Sequence, residues 1–177
     1  MIRRAALHRG ALILDVGGGA STFAADLRAE GLDNLVVVVD LAAAALRHAR
    51  HRPGPTAGAP EYVVGDALAV PVASRCAGLW HDRAVFHFLT DPADRERYLA
   101  EVRRVVQPGG LVLVATFAPD GPERCSGLPV VRYDPGELQR VFGRDFSLVE
   151  SGREIHQTPA GGKQAFTYGL LRYEPQG

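Results

Sequence analysis

The chain has 177 residues, 20 basic and 20 acidic side chains, and a hydrophobic fraction of 46%. This length suits one domain, and the apolar fraction suffices for a full core, which argues against a disordered chain. The zero net charge argues against binding along a nucleic-acid backbone, and no apolar run approaches the ~18 residues of a membrane span.

The N-terminal segment has basic residues before an apolar run, as a signal peptide does. Gly10 and Asp15 interrupt that run, so we interpret the segment as part of the mature fold. The two cysteines, Cys76 and Cys125, are too few for a disulfide framework and favour a reducing compartment. We therefore expect a cytoplasmic protein.

Strand and helix patterns alternate along the chain. Apolar runs rich in β-branched residues predict buried strands at 11–16, 35–39, 61–64, 77–81 and 111–117. Apolar residues at helical spacing predict helices at 21–30, 41–52, 92–106 and 135–142. Asp91 and Asp134 are expected to cap the last two helices, and the sequence PGP at 53–55 is expected to end the second.

This alternation predicts an α/β fold with a mostly parallel sheet and helices on both faces. Two extended segments, at 146–156 and 164–173, flank the turn-like sequence TPAGGK and should pair antiparallel at an edge. Residues 118–132 form the longest stretch without a regular pattern. Long loops inside a compact domain tend to be functional, so we expect this loop to lie near the site.

Three glycines at 17–19 follow the first predicted strand directly, in the sequence ILDVGGGAS. Ligands of open α/β sheets bind beyond the carboxyl ends of the strands, and glycine lets the backbone turn and approach a ligand closely. The second strand ends at Asp40, at about the offset where an acid meets ribose hydroxyls. A purely structural alternative is that the glycines make a tight turn and Asp40 caps the next helix.

The end of a third predicted strand adds support for a site that binds a nucleoside. The sequence VVGDAL places Gly65 and Asp66 after the third strand. Asp66 can accept a hydrogen bond from an adenine amino group while the amide of Ala67 donates to a ring nitrogen. The three strand ends therefore predict a turn for a ligand tail, an acid for a ribose and an acid for a base.

With these features the chain resembles the class I S-adenosylmethionine-dependent methyltransferases. The motifs are LDVGGGAS, VVVVD, VVGDAL, LWHDRAVFHFL and VRRVVQPGGLVLVATF, and FAPDGPERCSGLPVVRYDPGEL further resembles a group of small bacterial methyltransferases. The resemblance implies a Rossmann-like, doubly wound, three-layer fold with a seven-stranded sheet and an antiparallel C-terminal strand. It also implies S-adenosylmethionine as cofactor. The implied cofactor-binding residues are Asp15, Gly17, Gly18, Gly19, Asp40, Leu41, Gly65, Asp66, Ala67 and His81.

The sequence departs from the family pattern at several positions. Ser21 stands where the third family glycine falls, and Ala77 and Gly78 stand where many relatives have an aromatic residue and an acid. The segment before the first strand is also shorter than in relatives, where it helps to cover cofactor and substrate. We expect a single methyltransferase-like domain over residues 1–177, which is either truncated at its front or has a more open site.

Chemistry-bearing residues cluster after the fourth strand. His81 and Asp82 are candidates for holding the methionine end of the cofactor, and Asp82 and His87 are the candidate catalytic residues. His87 is either a base or a packed core histidine, because its setting, AVFHFL, is apolar. Arg83 either clamps an anionic acceptor or pairs with Asp82. Cys125, in the long loop, is either a thiolate for a soft acceptor or unreactive.

Two other functions use the same features. A nicotinamide-dependent oxidoreductase shares the glycine turn and the ribose acid, although its fingerprint expects a third glycine where Thr22 stands. A noncatalytic protein that binds S-adenosylmethionine is the other alternative. We expect a small-molecule acceptor, with a protein acceptor as a second option, and no nucleic-acid or membrane partner. No spacing of His or Cys predicts a zinc site.

Overall fold

A computed structural model describes residues 7–8, 10–19, 21–52, 58–158 and 161–176. Nine strands and four α-helices alternate along most of this chain. The elements are β1 Leu12–Val16, α1 Phe23–Ala29, β2 Val36–Asp40, α2 Ala43–Arg50, β3 Glu61–Val64, β4 Ala77–Arg83, a short 3-10 helix Phe86–Phe88, α3 Pro92–Val105, β5 Val106–Phe117, β6 Arg124–Cys125, β7 Leu128–Pro129, α4 Pro135–Phe142, β8 Phe146–Gln157 and β9 Lys163–Tyr173.

Seven strands form one sheet in the order β3-β2-β1-β4-β5-β9-β8. The strands from β1 to β5 pair in parallel, and β9 is antiparallel to both of its neighbours. The strand order reverses between β1 and β4, where doubly wound folds open a crevice at the carboxyl ends of the strands. The predicted Rossmann-like architecture is confirmed.

Two apolar cores lie on opposite faces of the sheet. On one face Leu27 of α1 and Leu46 of α2 pack with alternate residues of the central strands, such as Ile13. On the other face α3 and α4 contribute Tyr98 and Leu138, among other side chains. Helices therefore cover both faces, as the strand–helix alternation predicts.

The C-terminal hairpin pairs from Phe146 with Tyr173 to Gln157 with Lys163. The predicted antiparallel pairing is therefore confirmed, but the last strand is internal, because β9 lies between β5 and β8 and β8 forms the edge. Residues 159–160 of the predicted turn lie outside the described residues. So does the PGP sequence at 53–55, and α2 ends at Arg50.

The predicted caps of the last two helices are present. Asp91 accepts a hydrogen bond from the amide of Ala93 at 2.8 Å, before α3. Asp134 accepts from the amide of Glu137 at 2.7 Å, and the Glu137 carboxylate accepts from the amide of Asp134 at 2.8 Å. This reciprocal capping box fixes the start of α4, which packs against the hairpin strands.

Two segments differ from the sequence-based prediction. β5 begins at Val106 rather than 111, because the glycine-containing segment forms an irregularity: Ala77 pairs with Val106, whereas Leu79 pairs with Leu111. The loop at 118–132, expected to lack regular structure, contains the small hairpin of β6 and β7. Its turn uses left-handed conformations at Ser126 and Gly127.

We expect the substitution Asp134→Ala to lower the free energy of unfolding by about 0.5–2 kcal/mol, because α4 loses its side-chain cap. Urea unfolding followed by circular dichroism measures the loss. Glu96→Ala, at an exposed position of α3, is the matched control and should change stability by less than about 0.5 kcal/mol. Equal losses in the two variants would contradict a stabilising cap.

Candidate functional site

Three strand ends meet at one edge of the sheet beside the reversal of strand order. Parallel register places Val16 beside Val39, and Asp40 beside Val64. The amide of Gly17 donates to the carbonyl oxygen of Val39 at 2.7 Å, and the amide of Gly65 donates to the carbonyl oxygen of Asp40 at 3.1 Å. The glycine turn, the acid that ends β2 and the segment after β3 are therefore neighbours.

The glycine turn packs tightly against the protein itself. Gly17 and Gly19 have positive φ angles of 68° and 37°. A Cβ atom on Gly17 would overlap the side chain of Val85, and one on Gly18 would lie 2.7 Å from Cγ1 of Val38. Close packing of side chains is therefore one reason for glycine at positions 17 and 18, and the expected close approach of a ligand stays a prediction.

Asp40 has one carboxylate oxygen bound within the fold and one directed toward the glycine turn. Its Oδ1 accepts a hydrogen bond from the amide of Ala42 at 2.7 Å, in the turn that leads into α2, although α2 itself has no side-chain N-cap hydrogen bond. Its Oδ2 lies on the side of Gly19, 2.8 Å from where a Cβ of that residue would be. One carboxylate oxygen therefore supports the fold, and the other faces the glycine turn.

Large apolar side chains are exposed beside Asp40. Leu41 has 70% of its surface exposed, and Val64, at the end of β3, has 58%. Exposed aliphatic side chains at the mouth of a crevice are suited to the flat faces of a nucleoside base. The crevice thus has an apolar surface next to its acid.

Asp66 lies in a tight turn after β3. Its Oδ1 accepts a hydrogen bond from the amide of Leu68 at 2.9 Å, and its carbonyl oxygen accepts from the amide of Ala69 at 3.0 Å. Gly65 is required by packing, since a Cβ atom there would lie 2.6 Å from Cδ of Pro71. The roles of Gly65, Asp66 and Ala67 toward a base stay predictions.

His81 lies on the same face of the sheet as Asp15, on the neighbouring strand. Their register is direct, and Nδ1 of His81 is 2.7 Å from Oδ1 of Asp15. The ring of Phe23, from the first turn of α1, stacks on the imidazole with centroids 3.7 Å apart and an interplanar angle of 12°. Asp15 and His81 are both buried, so this pair is held rigidly beside the glycine turn.

Asp82 points to the opposite face and is fully buried. Its carboxylate accepts hydrogen bonds from the amides of Val85 and Phe86 at 2.9 and 3.0 Å and from the hydroxyl of Tyr98 at 2.6 Å. The hydroxyl of Tyr98 in turn accepts from Nε1 of Trp80 at 2.8 Å. This geometry favours a structural role over the expected catalytic one, because the carboxylate fixes the loop after β4 from within the core.

Burial raises the pKa of Asp82 to about 6, although its hydrogen bonds favour the charged form. Burial and the neighbouring Asp82 also raise the pKa of Tyr98 well above its usual value, so its hydroxyl stays protonated and donates. The stability contributed by Asp82 is therefore greatest at acid pH and falls as the pH rises between about 4 and 6.

His87 is a packed core histidine in this structure. It has no exposed surface, and its ring contacts the rings of Phe88 and Phe117. Its Nδ1 accepts a long hydrogen bond of 3.4 Å from the amide of Phe117, and burial lowers its pKa to about 4. The imidazole is neutral near pH 7 and has no access to a ligand, which disfavours the expected role as a base.

Arg83 pairs with a different acid from the one considered from the sequence. Its Nη2 lies 2.8 Å from Oε1 of Glu154 on β8, and its guanidinium lies over the ring of Phe166, 4.8 Å from the ring centroid. Asp82, the partner considered before, points into the core. Arg83 is part of the exposed rim, where its clamp role stays a prediction. Cys125 is half-buried in β6, and its role also stays a prediction.

Comparison with known proteins agrees with this geometry. The sequence model of the methyltransferase domain family matches residues 14–114, more than half of the chain, from β1 to β5. The chain belongs to this methyltransferase family. The matched region contains the glycine turn, Asp40, Asp66 and the Asp15–His81 pair.

Curated relatives in this methyltransferase family share about a third of the aligned residues. The chain is 32% identical over 120 residues to malonyl-[acyl-carrier protein] O-methyltransferase of Laribacter hongkongensis, a match over 64% of this chain and 39% of that protein. It is 35% identical over 108 residues to the ubiquinone/menaquinone biosynthesis C-methyltransferase UbiE of Methylobacterium nodulans, over 60% and 42%. The chain thus spans about two fifths of the length of these relatives.

Solved structures share the fold. A S-adenosylmethionine-dependent methyltransferase of Methanosarcina mazei has a TM-score of 0.78 and 18% identity, with 99% of this chain and 98% of that one covered. A Burkholderia thailandensis N-methyltransferase, with bound S-adenosylhomocysteine and 1,6-didemethyltoxoflavin, has a TM-score of 0.73 and 22% identity, over 98% and 76%. The class I methyltransferase architecture is therefore shown.

Two further kinds of feature, a metal site and a membrane-spanning helix, are not found among the described residues. Among the described residues, no group of three or more His, Cys, Asp or Glu side chains is placed to hold a metal ion. No helix in the described part of the chain is long and apolar enough to cross a membrane.

Sequence reasoning missed two parts of the site. The first is the contact between Asp15 and His81, with Phe23 stacked on it. The alternation of side chains along a strand could have placed both residues on the same face of the sheet. Asp15 lies two residues from Ile13, and His81 lies two residues from Leu79, and both of these apolar residues belong to the same core. The second is the hydroxyl of Tyr98, which donates to Asp82, because helical spacing indicates only that Tyr98 lies on the buried face of α3.

We expect Tyr98→Phe to lower the free energy of unfolding by about 1–3 kcal/mol near pH 7, because buried Asp82 and Trp80 each lose a hydrogen-bond partner. The loss should be smaller at pH 4.5. There Asp82 is protonated, and the hydroxyl no longer stabilises a buried charge. Urea unfolding at both pH values measures the difference.

Tyr62→Phe is the matched control, because Tyr62 is only half-buried and its hydroxyl has no hydrogen-bond partner within the described ranges. It should change stability by less than about 0.5 kcal/mol at either pH. A loss for Tyr98→Phe that is equal at both pH values would show that Asp82 does not change charge in this interval.

Proposed function

We propose that the protein binds S-adenosylmethionine at the carboxyl ends of β1, β2 and β3 and transfers its methyl group to a small-molecule acceptor. The observation that carries the proposal is the adjacency of the glycine turn, Asp40 and the turn at Asp66. Family membership from β1 to β5 supports it, as does a fold neighbour with bound S-adenosylhomocysteine.

The residues present fit this cofactor. Oδ2 of Asp40 is available to accept hydrogen bonds from ribose hydroxyls, and exposed Leu41 and Val64 offer apolar surface to an adenine. Oδ2 of Asp15 is buried without a hydrogen-bond partner among the described residues. An unpaired carboxylate oxygen beside the glycine turn is suited to a ligand amino group, such as the one at the methionine end.

When bound, S-adenosylmethionine supplies a methyl group on a positively charged sulfur. The contribution of the chain is to hold donor and acceptor in line and to exclude competing water. Such positioning is worth roughly 7–11 kcal/mol of a barrier when the geometry is near that of attack. The Asp82 hydrogen bonds hold Val85 against Gly17, so the loop after β4 and the glycine turn are fixed together.

A small molecule is the acceptor that we favour. The relative named for ubiquinone/menaquinone biosynthesis and the neighbour with bound 1,6-didemethyltoxoflavin support this choice. The relative named for malonyl-[acyl-carrier protein] supports the second option, an acceptor carried on a protein. Arg83, at the rim, is available to an anionic group in exchange for Glu154. Cys76 and Cys125 are both free, which supports a reducing, cytoplasmic location.

The nicotinamide-dependent alternative has less support. The methyltransferase family model covers the glycine turn and Asp40, the two features that a dinucleotide-binding protein would share. Calorimetric titration with S-adenosylmethionine and with NAD separates the two functions. Transfer of labelled methyl groups across a panel of small-molecule acceptors then separates an enzyme from a noncatalytic binder.

We expect Asp40→Asn to weaken the binding of S-adenosylmethionine by about 1.5–3 kcal/mol, because the ribose loses a charged acceptor. The asparagine oxygen still accepts from the amide of Ala42, so the turn that leads into α2 is retained. Isothermal titration calorimetry measures the affinity.

Asp33→Asn is the matched control, because Asp33 is exposed and lies before β2, at the other end of the strand. It should bind like the wild type. Unchanged affinity in folded Asp40→Asn would remove Asp40 from the site, and tight binding of NAD with none of S-adenosylmethionine would overturn the proposed function.

A further inference from the structure

The Asp15–His81 pair is built like the orienting half of a catalytic triad. Nδ1 of His81 lies 2.7 Å from Oδ1 of Asp15, and both side chains are buried. A carboxylate accepts hydrogen bonds only, so Nδ1 carries the proton of the neutral imidazole and Nε2 presents its lone pair. The stacked ring of Phe23 fixes the plane of the imidazole.

Nε2 is the reactive atom that this arrangement leaves free. It has no hydrogen-bond partner in the described part of the chain, and it is not among the buried unpaired side-chain atoms. The side chain of His81 retains 9% of its surface exposed. An imidazole with one nitrogen tied to a carboxylate and the other accessible is a competent proton acceptor.

Within the described residues, the carboxylate in contact with the ring of His81 is that of Asp15. β1 contributes Asp15, α1 contributes Phe23 and β5 contributes Leu113, the register partner of His81. Asp82 follows in the same strand but points to the other face of the sheet. His87, by contrast, packs against the rings of Phe88 and Phe117, and no carboxylate among the described residues binds it.

We propose that His81 is the general base of methyl transfer, that Asp15 and Phe23 are its positioning residues, and that the acceptor is a hydroxyl compound. The inference rests on the proposed function and narrows its substrate class. A soft acceptor such as a thiolate or a metalloid does not need a base, whereas a hydroxyl keeps its proton near pH 7.

The step balances in atoms and charge. The acceptor oxygen forms a bond to the methyl carbon as the carbon–sulfur bond breaks, and the electron pair of that bond stays on sulfur, which becomes neutral. The acceptor proton moves to Nε2 of His81. The resulting imidazolium is stabilised by the Asp15 carboxylate and returns the proton to solvent.

The ligand-free protein provides the first test. Nitrogen-15 NMR of the imidazoles, with His81→Gln to assign the signal, should show His81 as the tautomer protonated at Nδ1. Asp15→Asn should raise the population protonated at Nε2, because an amide at this position can also donate. A wild-type His81 protonated at Nε2 would overturn the proposal, since the accessible nitrogen would then have no lone pair.

Cofactor affinity provides the second test. The family resemblance implied that His81 binds the cofactor, whereas this proposal assigns His81 to the acceptor. His81→Gln should then bind S-adenosylmethionine within threefold of the wild type, as should the control His48→Gln at an exposed position of α2. A loss of tenfold or more in His81→Gln alone would place His81 on the cofactor and overturn its role as a base. If the wild type itself does not bind S-adenosylmethionine, the proposed function fails rather than this inference.

Turnover of a hydroxyl acceptor provides the third test. His81→Gln should lower kcat by about 10²–10⁴-fold and remove the acid limb of its pH profile, whereas His48→Gln should change neither. An unchanged kcat in His81→Gln, or turnover of thiols but no hydroxyl compounds, would overturn the proposal.

Discussion

Parallel pairing of β1 with β2 and β4, and of β2 with β3, carries the carboxyl ends of four strands to one edge of the sheet. Backbone hydrogen bonding in register imposes this arrangement, because a shift of one residue would turn every side chain to the opposite face. The glycine turn, Asp40, Asp66 and His81 are neighbours for that reason. They are distant in sequence, and no local interaction would otherwise bring them together.

A second constraint acts below that edge, inside the core. The buried carboxylate of Asp82 holds the loop after β4 through two amides and the hydroxyl of Tyr98. That loop carries Val85 against Gly17. A buried acid with several donors is a rigid anchor, and removing any donor leaves part of its charge uncompensated. The shape of the crevice therefore depends on groups that no ligand touches.

Much of the fold was predictable, because its signals are local. Asp134 and Glu137 predict a capping box, and the β-branched run before Asp40 predicts a buried strand. The alternation of strands and helices also predicted that the site lies at the carboxyl ends of the parallel strands. The partner of Arg83 did not, because Glu154 approaches only after β8 has paired at the far edge of the sheet. Long-range contacts of this kind have no periodic signature.

The position of β9 has a consequence for the order of assembly. It lies between β5 and β8, and it is the last strand along the chain. Until it inserts, β5 presents an unpaired and largely buried edge from Leu111 to Phe117, which is the kind of surface that captures strands from other chains. During synthesis on the ribosome, the half of the sheet with the glycine turn can form early, whereas closure waits for β9. A nascent chain that stalls before β9 would leave the unpaired edge of β5 exposed, where it can aggregate or be bound by chaperones.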